Sequence, residues 1–162
     1  MGVVPGSMAV SDDNFVAFVE PHLLAVRRAL VARFGLDPGL DIAADVVAWA
    51  WEHQATLRES DNPAGYLFRV GQSRSRRYLR WRRHPLVPRG QERDNEADID
   101  LRAAVAGLPA PQRVAVLLVH AFGYSYRDAA GLLDVSEAAL RNHLHRGMAR
   151  LRQMVETEDV DG

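Results

Sequence analysis

Arg141, Asn142, His145 and Arg146 carry groups that bond nucleic-acid bases, and their spacing places them along one side of an α-helix. Glu137 and Ala138 continue that side toward the helix start. Arginine pairs with guanine edges and asparagine with adenine. The cluster therefore suits a helix that reads base pairs, the plain alternative being a solvated polar face. A second cluster lies upstream. Leu67, Val70, Tyr78 and Trp81 fall along one side of a helix, with Arg74 as an exception, and Arg69, Arg76, Arg80 and Arg83 fall along another. Guanidinium groups interleaved with aromatic rings suit a nucleic-acid strand, the first taking phosphates and the second unstacked bases. A solvated amphipathic helix would show the same pattern.

Nothing else in the chain carries comparable chemistry. The six histidines, including His143 and His145, lack metal-ligand partners at usable spacing. No glycine loop suited to phosphate is present. Asp and Glu are scattered, so a catalytic pair would depend on tertiary contacts. Cysteine is absent, which removes disulfides, thiolate nucleophiles and Cys-based zinc sites. The expectation is a protein that is not an enzyme and needs no cofactor or metal.

Charge is distributed unevenly. The 162 residues have a net charge of −1, yet all 20 basic residues are arginine. A genome rich in G and C would produce that bias without any function. Nine arginines lie between Arg69 and Arg93 with only Glu92 opposing them, while the first 62 residues are acidic. One concentrated basic segment in a near-neutral chain points to local contact with nucleic acid or another acidic surface. No apolar run reaches membrane-spanning length, and Met1 to Val10 lacks the pattern of a signal peptide. A cytoplasmic location is expected.

The elements that must position these residues are helices, because apolar residues recur at helical spacing and strand signals are almost missing. Phe15, Phe18, Val19, Leu23, Val26, Leu30 and Phe34 mark a first helical region, bent or restarted at Pro21 and ended by Gly35. Asp37-Pro-Gly-Leu reads as a turn. Asp41 would cap a second helix reaching Ala55, with Ile42, Val46, Val47, Ala50 and Trp51 inward. Asn62-Pro63 is a cap followed by proline in the first turn, and opens a third helix reaching about Arg83. Residues 84–99, with Pro85, Pro88 and Gly90, read as a flexible linker. The expected architecture is all-α: a helical domain at 12–83, the linker at 84–99 and a second helical domain at 100–155. That second domain is to hold a helix over 101–106, a helix opened by Pro109 or Pro111 and closed by Gly123, and then two more.

Those last two form a helix-turn-helix signature, Gly123 through His143. Ser125 and Asp128 resemble a capping box. Small Ala130 lets the helices cross closely, while Leu133, Val135 and Leu140 fill the angle. Asp134 takes the place of the usual turn glycine, and Ser136 caps the helix carrying Arg141.

With these residues in place the chain resembles the sigma-70 family in its small, two-domain extracytoplasmic-function (ECF) form. Leu108-Pro-Ala-Pro-Gln-Arg-Val-Ala-Val-Leu-Leu, Gly123-Tyr-Ser-Tyr-Arg-Asp-Ala-Ala, Val135-Ser-Glu-Ala-Ala-Leu-Arg and Arg146-Gly-Met-Ala-Arg-Leu-Arg resemble region four. Asp45-Val-Val, then Trp51, then Asn62-Pro-Ala-Gly-Tyr-Leu-Phe-Arg-Val-Gly-Gln-Ser-Arg-Ser-Arg-Arg resemble region two. The resemblance covers roughly residues 14 to 153. It implies a factor that binds core RNA polymerase and directs it to promoter DNA, with an anti-sigma factor as a further possible partner. By motif, Asp45, Val46, Trp49 and Glu52 would touch polymerase. Gln72, Ser73, Arg76, Arg77 and Arg80 would touch the minus-ten element. Ala138, Arg141, Asn142, His145 and Arg146 would touch the minus-thirty-five element. Ala48-Trp49 stands where the family has Gln-Glu, and Arg77 where an acidic residue is usual. A stand-alone helix-turn-helix regulator acting without polymerase is the alternative, and it leaves the Asn62–Arg83 segment without a role.

Overall fold

The computed structural model describes the backbone of residues 7–81 and 96–158 and the side chains of residues 12–78 and 101–157. Among the described residues the chain is helical throughout, with no strand. The first half holds α1 (Ser7–Phe34), α2 (Leu36–Glu52), α3 (Gln54–Arg58) and α4 (Pro63–Trp81). The second holds α5 (Glu96–Ala106), α6 (Ala110–Val116), a π-helical turn (Leu117–Ala121), α7 (Tyr126–Leu133) and α8 (Glu137–Glu158).

In the first half α1, α2 and α4 share one core containing Phe15, Val19, Leu30, Ile42, Val46, Leu67 and Phe68, each essentially unexposed. Removing such a side chain from water is worth roughly 1.5–3 kcal/mol, so this core accounts for the bundle. Two glycines set how closely the helices meet. A Cβ on Gly39 would lie 2.5 Å from the Val31 Cα, so α2 leaves α1 with backbone against backbone. A Cβ on Gly71 would lie 2.7 Å from a Leu30 methyl, in the middle of the three-helix contact. In the second half Leu108, Val114, Leu118, Ala130, Leu140 and Leu144 are buried, and Gly147 lets α8 cross α6 beside Val116.

Several boundaries differ from the sequence reading. Helix α1 runs through Pro21 without restarting. Pro21 and Ala17, four residues before it, are both exposed, so the carbonyl that loses its N–H partner faces water. Asp37-Pro38 is the first turn of α2 rather than a separate turn. Proline is tolerated there, and Gly35, at φ 87°, supplies the sharp joint. Helix α2 stops at Glu52, where His53 leaves helical geometry before α3 begins. Its buried stripe is Gly39, Ile42, Ala43, Val46 and Ala50, which leaves Val47 and Trp51, expected inward, 37% and 40% exposed. Helix α5 begins at Glu96, inside the segment assigned to the linker, and the remainder of that segment to residue 95 lies outside the described residues.

The two halves pack against each other through α1, α4, α6, α7 and the π-helical turn. Arg113 on α6 is the largest polar connection. Its Nε donates to Ala32 O at 2.8 Å and its Nη2 to Arg33 O, both in the last turn of α1. Its Nη1 donates to Ala106 O at 3.1 Å and Leu108 O at 2.9 Å. Carbonyls in a last helical turn lack intrahelical donors, and a guanidinium is a matching cap for them. Burial, and after it the nearby Arg113 charge, lowers the pKa of Arg33 from its ordinary value. Elsewhere at the contact, Asn62 Nδ2 donates to Gly131 O at 2.8 Å, and Arg69 pairs with Asp134 at 3.2 Å. The Arg28 guanidinium sits over the Phe122 ring at 5.4 Å.

Candidate nucleic-acid interface

The helix-turn-helix is built by local chemistry. Ser125 Oγ accepts from Asp128 N at 3.0 Å, and the Ser125 hydroxyl donates to the Asp128 carboxylate at 2.7 Å. Asp134 sits at φ 55° and ψ 46°, the left-handed region that aspartate enters more readily than most residues. The next residue's N–H returns to Ala130 O at 3.0 Å, closing α7. Ser136 Oγ then accepts from Ala139 N at 3.1 Å and starts α8. Ala130 and Leu140 are buried between the helices, whereas Val135, expected in the angle, is 38% exposed.

This frame turns Glu137, Ala138, Arg141, Asn142, His145 and Arg146 to solvent together. Arg141 is held in place rather than loose. Its guanidinium lies 5.0 Å from the Tyr126 ring centre, and Glu137, one turn earlier, lies 3.7 Å away. An arginine near the start of such a helix stands where base edges are met in a major groove.

Helix α4 is anchored by Asn62, whose Oδ1 accepts from Gly65 N at 3.0 Å directly before Pro63. Its buried side is Leu67, Phe68, Gly71 and Ser75, one step out of phase with the sequence reading, which left out Phe68. Ser73, Arg76 and Arg77 are exposed and Gln72 is half-buried. Arg80 lies within α4, but its side chain is outside the described residues, as are Trp81's side chain and Arg83. Arg74 is half-buried and lines a cleft of about 450 Å³ with Asp45, Arg77 and Tyr78. The Tyr78 hydroxyl donates to the Asp41 carboxylate, so Asp41 ties α2 to α4 instead of capping a helix.

The residues assigned to a protein partner separate. Asp45 and Glu52 are exposed. Trp49 is half-buried in a stack, 4.2 Å from the His53 ring and 5.5 Å from Tyr66. Val46 is fully buried in the first-half core, at the floor of a surface groove. That groove, of about 430 Å³ between α1 and α2, is also lined by Leu23, Leu24, Leu40 and Val47, of which Leu24 is 49% exposed. The sequence reading missed this groove; unlike a buried stripe, an exposed Leu24 and Val47 leave no periodic signal. Among the described residues no group of three or more His, Asp or Glu could hold a metal ion, and no helix is long and apolar enough to cross a membrane.

Comparison with known proteins places this geometry among relatives. Residues 98–151 match the family model for sigma-70, region 4. The chain is 33% identical over 120 residues to the RNA polymerase sigma-E factor of Streptomyces antibioticus, covering 68% of this chain and 65% of that protein. It is 31% identical over 62 residues to the ECF RNA polymerase sigma factor EcfG of Rhodopseudomonas palustris (strain TIE-1), covering 38% and 34%. The chain thus spans less than two thirds of the length of either relative. In fold it is similar to the sigma factor RpoE from Bartonella quintana, solved in complex with the anti-sigma factor NepR, with a TM-score of 0.62 at 21% identity over 88% of this chain and 97% of that one.

Proposed function

We propose that the chain is a member of the sigma-70 family, in its ECF branch, and a transcription initiation factor that binds core RNA polymerase and directs promoter recognition and melting. One observation carries the reading. A region-four helix-turn-helix with an exposed Arg141–Asn142 pair follows, in the same chain, a bundle whose α4 presents Ser73, Arg76 and Arg77 to solvent. A stand-alone regulator needs only the first of these. In the proposed division of labour Ala138, Arg141, Asn142, His145 and Arg146 meet the upstream, double-stranded element. Gln72, Ser73, Arg76, Arg77 and Arg80 meet the minus-ten element as it opens. Asp45, Trp49, Glu52 and the groove at Leu24 and Val47 meet polymerase. An anti-sigma factor is a further proposed partner, and the cytoplasm the proposed location.

The test separates the two DNA surfaces. Arg76 and Arg77 lie on a helix where phosphate attraction and base capture matter more than base-edge reading. Changing both to alanine is expected to leave the upstream base preference intact and to lower open-complex formation about tenfold or more, each lost arginine–phosphate contact being worth on the order of 1 kcal/mol. A template already unpaired around the start site restores most of that loss. A double variant that shifts the upstream preference, or that a pre-melted template leaves unrescued, would remove the assigned role of α4.

A further inference from the structure

A cavity of about 530 Å³ opens where the end of α1 meets α5, α6 and the start of the π-helical turn. Val31, Phe34, Leu101, Val105 and Leu117 give it apolar walls, and Arg113 lines it as well. Its size falls in the range of roughly 300–1,000 Å³ typical of small-molecule sites, which are mostly apolar with a few polar groups that fix orientation. Leu101, on one of its walls, is left 53% exposed.

The ionic groups at this place are two cations. Arg113 donates to four carbonyls, which leaves one of its five N–H groups, on Nη2, without a partner. Arg33 stands beside it: the Arg33 carbonyl accepts from Arg113, and the Arg33 guanidinium lies 5.5 Å from the centre of the Phe34 ring, a wall of the cavity. The Arg33 Nε is buried and has no acceptor. Among the described residues no carboxylate pairs with either arginine. Burial, and after it the Arg113 charge, lowers the Arg33 pKa. A buried donor without an acceptor and a partly buried cation without a counter-ion both cost free energy, and an anion placed between the two guanidinium groups would offset both costs.

We propose that this cavity binds a small amphiphilic carboxylate, a free fatty acid in chemical class, with its chain along Leu101, Val105 and Leu117 and its carboxylate at Arg33 and Arg113. An acyl chain held in an ester would fill the same walls but bring no charge to the arginines. Neither arginine belongs to the surfaces assigned to DNA or polymerase, so the site does not rest on the promoter-recognition reading.

The test uses the full chain with octanoate, and with 1-octanol as a neutral ligand of the same chain length. In calorimetric titrations octanoate is expected to saturate at one molecule per chain, and 1-octanol to bind about tenfold more weakly, the lower end of what a hydrogen bond to a charged group contributes. In spectra of methyl-labelled protein the Val31, Leu101, Val105 and Leu117 signals are expected to shift on adding octanoate, and those of Ile42, in the first-half core, to stay in place. Arg33→Met keeps an apolar stem and removes the charge. It is expected to bring octanoate down to the affinity of 1-octanol and to leave 1-octanol unchanged. Because it also removes a buried donor that has no acceptor, its melting midpoint should not fall. Leu101→Asp, at a position too exposed to carry the fold, is expected to weaken both ligands. Equal affinity for octanoate and 1-octanol, octanoate binding that neither variant alters, methyl shifts confined to other parts of the chain, or no saturable octanoate binding would each overturn the site.

Discussion

Arg113→Ala is expected to lower the midpoint of thermal unfolding by about 6–12 °C. The side chain spans four carbonyls, at Ala32, Arg33, Ala106 and Leu108, which belong to the ends of α1 and α5 and the joint leading into α6. Alanine leaves those oxygens without a donor where they are partly shielded from water. A hydrogen bond from a charged group is worth about 1.5–3 kcal/mol, but the bond to Ala106 O is exposed and water can enter the space the side chain vacates, so a net loss near 3 kcal/mol follows. For a chain of this size each kcal/mol moves the midpoint by about 2–4 °C. Arg33, whose pKa is lowered first by burial and then by the Arg113 charge, is relieved of that second effect, which offsets a little of the loss. Arg113→Lys should recover only part, because an ammonium group cannot reach carbonyls on both sides as a planar fork does. Thermal melts followed by circular dichroism measure both. A midpoint within 2 °C of wild type for Arg113→Ala, on the order of half a kcal/mol, would show that the halves do not depend on this residue.

Arg141→Ala is expected to cost roughly 1–3 kcal/mol of promoter affinity at one upstream base pair, about 5- to 150-fold, and to relax the preference there. The side chain is exposed and is oriented by the Tyr126 ring and Glu137, so its loss should hardly change folding. Under the proposed role the variant tests DNA binding rather than stability. Selection of upstream sequences by the variant bound to core polymerase reports the effect position by position. A uniform loss across all sequences would instead mark Arg141 as a phosphate contact.

What the sequence made legible follows from the range of the interactions. Ser125, Asp134, Ser136 and Asn62 act through bonds to neighbours three residues away or less, or through their own backbone angles, and the helix starts and turn they imply are where the structure has them. The exposed face at Ala138, Arg141, Asn142, His145 and Arg146 follows from the phase of Leu140 and Leu144. Where the phase was ambiguous the reading slipped. In α2 the apolar run 46–51 predicts Val46, Val47 and Trp51 alike as core, and the structure buries Val46 while leaving the other two partly exposed. In α4 the apolar side Leu67, Val70, Tyr78 and Trp81, with Arg74 as its exception, leaves out Phe68, which is buried. The partners of Arg113 lie about 80 residues away, and no local pattern announces a bond of that span. Nor did composition indicate that the halves would meet, since Asn62, Gly131, Arg69 and Asp134 each have a sufficient local explanation.

The central claim is most directly tested by permanganate footprinting of promoter DNA with the purified chain, core RNA polymerase, or both. Permanganate reports unpaired thymines. The account predicts reactive thymines around the minus-ten element only when both proteins are present, with weak and strongly salt-dependent duplex binding by the chain alone. Tight, sequence-specific binding of duplex by the free chain, with no melted region on adding core enzyme, would contradict it and leave a stand-alone regulator in its place.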